Sequence, residues 1–98
     1  MIQFSNNNIY IRRGDTGKAE INFSRNVDSA VFSVKKRATD TKYIMQKDIT
    51  NGILKFDHSD TNNLDDGRYV YDIQVTYDDV VDTPLSGDFV IVIDITRE

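Results

Sequence analysis

The chain contains no cysteine and no tryptophan, and it has one histidine and one proline. Without cysteine there is no disulfide framework, no thiolate metal site and no thiol nucleophile. With His58 alone, multi-histidine metal centres and paired-imidazole chemistry are excluded as well. Long apolar runs are also missing. The strongest, Phe89-Val90-Ile91-Val92-Ile93, falls far short of the roughly 20 residues a membrane-spanning helix needs, and Asp94 closes it. The first residues, Met1 to Asn8, lack the basic and apolar regions of a secretion signal, so none is expected. Excess positive charge is absent too: 12 Lys and Arg stand against 16 Asp and Glu, a net charge of -4. A dedicated nucleic-acid binder needs a concentrated positive face, so that partner class is not expected.

What remains fits one ordinary folded unit. At 98 residues, with 39% hydrophobic and 10% aromatic side chains, the sequence can fill a single core, and residues 1–98 read as one domain. The dominant apolar spacing is two, the period of half-buried strands. Ile9 and Ile11 alternate with Tyr10 and Arg12. Gly14-Asp15-Thr16-Gly17 then interrupts, and Ala19, Ile21 and Phe23 resume, which reads as a hairpin-like pair. Ala30, Phe32 and Val34 form the next apolar face, followed by the basic run Lys35-Lys36-Arg37. Tyr43 to Lys47 reads as a further strand, and Asn51-Gly52 is the strongest short turn signal, introducing Ile53 to Phe56.

The second half alternates more cleanly. Tyr69, Tyr71, Ile73, Val75 and Tyr77 share one face, with Val70, Asp72, Gln74 and Thr76 on the other. Phe89, Ile91, Ile93 and Ile95 repeat the device, but Val90 and Val92 make the start of that strand apolar on both faces. Pro84 is expected in the loop between these two strands, where its missing N–H harms no ladder. Several short strands at about ten-residue spacing predict an antiparallel β-sandwich of about seven to eight strands without a disulfide, with a small barrel as the alternative.

Asp60, Leu64, Gly67, Tyr69 and Tyr71 resemble an immunoglobulin-type corner, in which a tyrosine near the start of a strand bonds back to upstream backbone. Tyr69 would be that tyrosine, and Tyr71 would stand where such strands usually carry cysteine. Further stretches extend the likeness over nearly the whole chain: Arg13-Gly14-Asp15-Thr16 ahead of Ile21-Asn22-Phe23, Val31 to Lys36, Asp60 to Gln74, and Thr83 through Gly87-Asp88-Phe89 to Thr96. In that order they resemble small virion structural proteins of phages and prophages of Gram-positive bacteria, similar in plan to the immunoglobulin-like N-terminal domain of baseplate upper proteins. The resemblance implies a non-catalytic tail or baseplate part, made in the bacterial cytoplasm and built into the virion. Its partners would be other virion proteins and further copies of itself, with no cofactor and no catalytic residues. Asp78-Asp79-Val80-Val81 departs from the pattern, since a glycine-containing turn is expected there.

The individual candidates are each explained by structure more cheaply than by chemistry. His58 between Asp57 and Ser59-Asp60 has the composition of a general base or metal ligand, but no nucleophile or ligand set accompanies it. The acidic pairs Asp65-Asp66 and Asp78-Asp79, with Asp82, match no calcium-loop spacing and suit turns. Arg13-Gly14-Asp15 has the composition of an integrin motif and also of a tight turn. Asn22-Phe23-Ser24 satisfies a glycosylation pattern inside a predicted strand, and Lys35-Lys36-Arg37 lacks the aromatic groove of a nucleic-acid site. The expected contact residues are Val80 and Val81 at a strand tip, and Val90 and Val92 if their face is uncovered. Charge is divided unevenly: residues 1–49 carry nine basic and five acidic side chains (+4), and residues 50–98 carry three and eleven (-8). Such opposed halves suit docking between copies or partners. A sugar- or receptor-binding module using Tyr10, Tyr43 or Tyr77, and a hydrolase built on His58, are the alternatives from other classes.

Overall fold

In the computed structural model, which describes residues 2–5 and 7–93, the period-two stretches become eight strands and one helical turn. The strands are β1 (Ile2–Ser5), β2 (Asn8–Arg12), β3 (Gly17–Glu20), β4 (Ser29–Lys35), β5 (Met45–Asp48), β6 (Ile53–Phe56), β7 (Gly67–Tyr77) and β8 (Val80–Val92). The helical turn, α1, spans His58–Thr61 between β6 and β7. Six strands form one sheet in the order β1-β2-β8-β7-β4-β5, and β3 pairs with β6 in a separate two-stranded sheet. The continuation of the last apolar face to Ile95 lies outside the described residues.

One face of the large sheet carries the core. Tyr69, Tyr71, Ile73 and Val75 of β7 are buried, as are Ala30, Phe32 and Val34 of β4, Ile9 and Ile11 of β2, and Phe89 and Ile91 of β8. These are alternate residues of neighbouring strands, so one pleated face supplies them all. The small sheet closes over that face through β6. The Phe56 ring lies 5.6 Å from Phe32, edge to face, and 5.7 Å from Phe89, stacked. Pairs at these separations add about 0.5–1.5 kcal/mol each beyond the area they bury. The opposite face of the large sheet is mixed, with Tyr10, Val70, Val90 and Val92 half-buried and Arg12, Arg68 and Gln74 exposed.

Five sequence expectations change. Ile9–Ile11 and Ala19–Phe23 do not form a hairpin with each other: β2 belongs to the large sheet and β3 to the small one, and β3 ends at Glu20, short of Ile21 and Phe23. Their apolar residues meet across the core instead, and the turn at Gly14 (φ 82°) carries the chain from one layer to the other. Not every pairing is antiparallel. β2 runs parallel to β8, Ile9 opposite Phe89 and Ile11 opposite Ile91, because strands from opposite ends of the chain meet with no turn to set their direction. Pro84 is inside β8, where the register slips between Ile73/Leu85 and Val75/Asp82; this bulge tolerates a residue without an N–H. Ile93 does not join the face of Phe89 and Ile91: β8 ends at Val92, and Ile93 is exposed. Finally, the Asp78-Asp79 turn closes without glycine, both residues taking positive φ (48° and 62°), as a two-residue turn of the primed type requires.

β7 and β8, at 11 and 13 residues, are much longer than the rest. At about 3.3 Å per residue, such strands reach roughly 40 Å. The molecule measures 48 × 27 × 23 Å, so this hairpin sets its long axis. No helix among the described residues is long and apolar enough to cross a membrane.

Candidate functional site

The base of the long hairpin is tied down by the segment that precedes it. In α1, the Asp60 carboxylate accepts the Asp57 N–H at 2.7 Å and pairs with the Lys47 ammonium at 2.7 Å, joining the turn to β5. The fully buried Thr61 hydroxyl accepts the Gly14 N–H at 2.8 Å, and His58 Nδ1 is 2.7 Å from the Gly14 carbonyl. With Nδ1 protonated, the ring donates to that carbonyl, so two side chains of α1 clamp both backbone groups of Gly14. A side chain at this glycine would meet the His58 ring at 3.2 Å as well as an unfavourable φ. Arg13-Gly14-Asp15 is therefore a held crossover between layers, with Arg13 N–H on the Val92 carbonyl at 3.0 Å.

The chain then enters β7 through the half-buried Leu64, whose N–H donates to the Thr61 carbonyl at 3.0 Å. Gly67 sits at φ 138°, a conformation open to glycine alone. The Tyr69 hydroxyl donates to the Asp65 carbonyl at 2.8 Å. Burial raises the Tyr69 pKa above the usual phenol value, and the neighbouring Asp65 and Asp66 carboxylates push it the same way. Tyr71 is raised by burial, and its hydroxyl donates to the Asn7 carbonyl in the β1–β2 turn. Opposite Tyr71 in the ladder is Gly87, where a Cβ would come within 2.3 Å of that same Asn7 carbonyl.

The far end of the hairpin is different in kind. Tyr77 pairs with Val80 and Thr76 with Val81, and here Val80 is 45% and Val81 63% exposed. The Arg25 guanidinium lies 4.2 Å from the Tyr77 ring centroid, and the Asp78 N–H donates to the Asp28 carboxylate at 3.3 Å. The tip is thus a pair of branched apolar side chains among Asp78, Asp79 and Asp82, all exposed. Among the described residues, no group of three or more histidines and carboxylates is placed to hold a metal ion.

The four candidate contact valines do not form one patch. Val90 and Val92 lie near the base on the open face of the large sheet, Val90 opposite Tyr10 and Arg68 and Val92 opposite Arg12. They are nine or more residues along β8 from Val81, or about 30 Å of strand. A feature the sequence did not reveal lies on the same open face. Lys35, Ala38, Tyr43, Val70, Asp72 and Asp88 surround a shallow depression between the β4–β5 loop and the β7–β8 ladder. Tyr43 is 51% exposed, with the Lys35 ammonium 4.9 Å from its ring centroid. Three separate segments build this site, and from the first of them the sequence singles out Tyr43 as a stacking side chain. No family model matches the chain, and no curated protein or solved structure matches it either.

Proposed function

We propose that the chain is a non-catalytic phage or prophage structural protein, a tail or baseplate component that acts through protein–protein contacts on an immunoglobulin-like sandwich. The strand order supports the sandwich reading. β8-β7-β4-β5 opposite β3-β6 has the order of the G-F-C-C′ and B-E strands of variable-type immunoglobulin sheets. The Tyr69-to-Asp65 bond beside the start of β7 supports it too, since a tyrosine corner occupies that place in such domains.

The observation that carries the functional reading is the projecting hairpin tip. Val80 and Val81 stand at the outer end of the β7–β8 ladder, largely exposed and outside the core. Branched apolar side chains displayed in this way gain stability only when a partner covers them. Assembly components work by such contacts, without any reacting group. The test is to purify native particles and locate the chain by immunogold labelling. Labelling at one fixed level of the tail or baseplate is the expected result, and absence from assembled particles overturns the proposal.

Tyr43 favours a second reading, a sugar- or receptor-binding module. Its exposed ring beside Lys35, Asp72 and Asp88 combines a stacking surface with polar groups, as saccharide sites do. A glycan-array signal lost in Tyr43→Ala would support this reading, and a blank array would remove it.

A further inference from the structure

We propose that copies of this chain dock head to tail, the β7–β8 tip of one seated in the Lys35–Tyr43 depression of the next. The inference deepens the contact reading above by naming both surfaces and making the partner a second copy. It begins from the polarity of the long axis. β4 runs antiparallel to β7 with Ser29 opposite Thr76 and Lys35 opposite Val70. The β4–β5 loop therefore lies about seven residues, or roughly 23 Å, from the tip along the strands.

The tip and the β4–β5 loop carry opposite charge. At the tip, Asp28, Asp78, Asp79 and Asp82 surround a single cation, Arg25, which is occupied on Tyr77. The end of β4 and the β4–β5 loop, which border the depression, carry Lys35, Lys36, Arg37 and Lys42 against Asp40, while the depression itself is lined by Lys35, Asp72 and Asp88. Two of those carboxylates are already engaged locally, Asp40 with Arg37 at 3.8 Å and Asp88 with Arg68 at 3.1 Å. Each region also displays apolar surface, Val80 and Val81 at one and Tyr43 and Ile44 at the other.

A tip cannot reach the depression of its own chain, because the two lie roughly 20 Å apart along one continuous β7–β8 ladder. The contact is therefore between copies and heterologous: every molecule offers one tip and one depression, and the series stays open unless a rotation closes it into a ring. Apolar contact at Val80 and Val81 supplies affinity, and the opposed charges supply orientation and a dependence on salt.

The experiment is sedimentation velocity on the full chain, with two variants altered only at exposed positions and checked for unchanged folding by circular dichroism. One carries Val81→Lys with Asp82→Asn at the tip, and the other Lys36→Glu with Lys42→Glu at the depression. The unaltered chain is expected to show a sedimentation coefficient that rises with protein concentration at low salt, with association weakened about tenfold or more at high salt. Each variant alone is expected to be monomeric. An equimolar mixture should stop at a heterodimer, since only one intact tip and one intact depression can meet. Three results overturn the proposal: a monomer at every concentration in low salt, self-association that persists in either variant, or a mixture that stays monomeric. None of these alters the outcome of particle labelling, so head-to-tail docking can fail while the assembly reading stands.

Discussion

At the base of the long hairpin, Tyr69, Tyr71, Phe89 and Ile91 are almost completely withdrawn from solvent, covered by the small sheet and tied to the α1 segment and the β1–β2 turn. About ten residues further along the same two strands, Val80 and Val81 are among the most exposed apolar side chains in the described residues. Both ends alternate and pair in an antiparallel ladder, and both are rich in β-branched and aromatic residues. The difference lies in what faces them. Towards the turn β7 is still braced by Arg25 on Tyr77 and by Asp28 on Thr76 and Asp78, but Val80 and Val81 on β8 are left exposed. Strand formation and core membership are thus separate properties here. The strength of the base lets a short stretch of ladder project apolar side chains into solvent.

The sharpest way to break this contrast is to truncate one apolar residue at each end. Phe89 is fully buried, with ring contacts to Phe32 and Phe56, and Phe89→Ala should destabilise the fold by about 3–5 kcal/mol through lost transfer energy and the cavity left behind. Val81→Ala should change stability by less than about 0.5 kcal/mol. Urea unfolding of the two variants checks both values. Comparable losses would mean that the tip is packed against the body in solution.

Gly87→Ala probes the base without touching its apolar content. The added methyl group would lie 2.3 Å from the Asn7 carbonyl, a backbone atom, so β8 or the β1–β2 turn must move. A loss of about 1–3 kcal/mol is expected, the range for forced overpacking. Thermal unfolding measures it, and an unchanged midpoint would show that the β1–β2 turn does not lie over β8.

A smaller effect comes from the tyrosines. The folded-state pKa values of Tyr69 and Tyr71 are raised, chiefly by burial. In the unfolded chain they ionise near the ordinary value of about 10, so above that pH the unfolded state loses its protons first. Their contribution to stability is complete below pH ~10 and is lost as pH rises through the folded values. Tyr69→Phe should remove about 1 kcal/mol at neutral pH, from the bond to Asp65, and should also flatten the alkaline decline. Denaturant midpoints at neutral and alkaline pH separate the two effects. A decline as steep as in the unaltered chain would assign the alkaline sensitivity elsewhere.

How far these regions were legible in the sequence follows the same division between local and distant. β7 stands out because five apolar residues at every second position leave no other periodicity open, and Asn51-Gly52 turns the chain where its composition says it should, with φ of 53° and 75°. The bond from Tyr69 to Asp65 spans four residues, a range over which spacing alone constrains the chain. The parallel pairing of β2 with β8 joins residues about eighty positions apart, and no local pattern encodes it. The Lys35–Tyr43 depression was hidden for the same reason, being built from three segments that meet only after folding. Pro84 misled in the opposite direction. Read locally, proline ends a strand; the bulge that accommodates it exists only because β7 is its neighbour.

The tip offers the finest test, because its turn violates a local preference that the rest of the hairpin overrides. Asp78 and Asp79 both hold positive φ, a conformation aspartate tolerates better than most residues but glycine adopts freely. Replacing only the second, Asp79→Gly, yields the Asp-Gly pair that two-residue primed turns favour and removes one of three clustered carboxylates. The glycine also enlarges the unfolded ensemble, which offsets part of the gain, so a rise of about 0.5 kcal/mol is expected, or roughly 2–4 °C in Tm. Asp79→Ala removes the same charge but places a Cβ where it is disfavoured, and should lower stability by a similar amount. The opposite signs of the two variants separate backbone conformation from charge. If both raised Tm equally, repulsion among the tip carboxylates would be the dominant strain; if only glycine did, the turn geometry would be. In either case the base should be unaffected, since a ladder held by the second layer at one end has no need of the turn at the other.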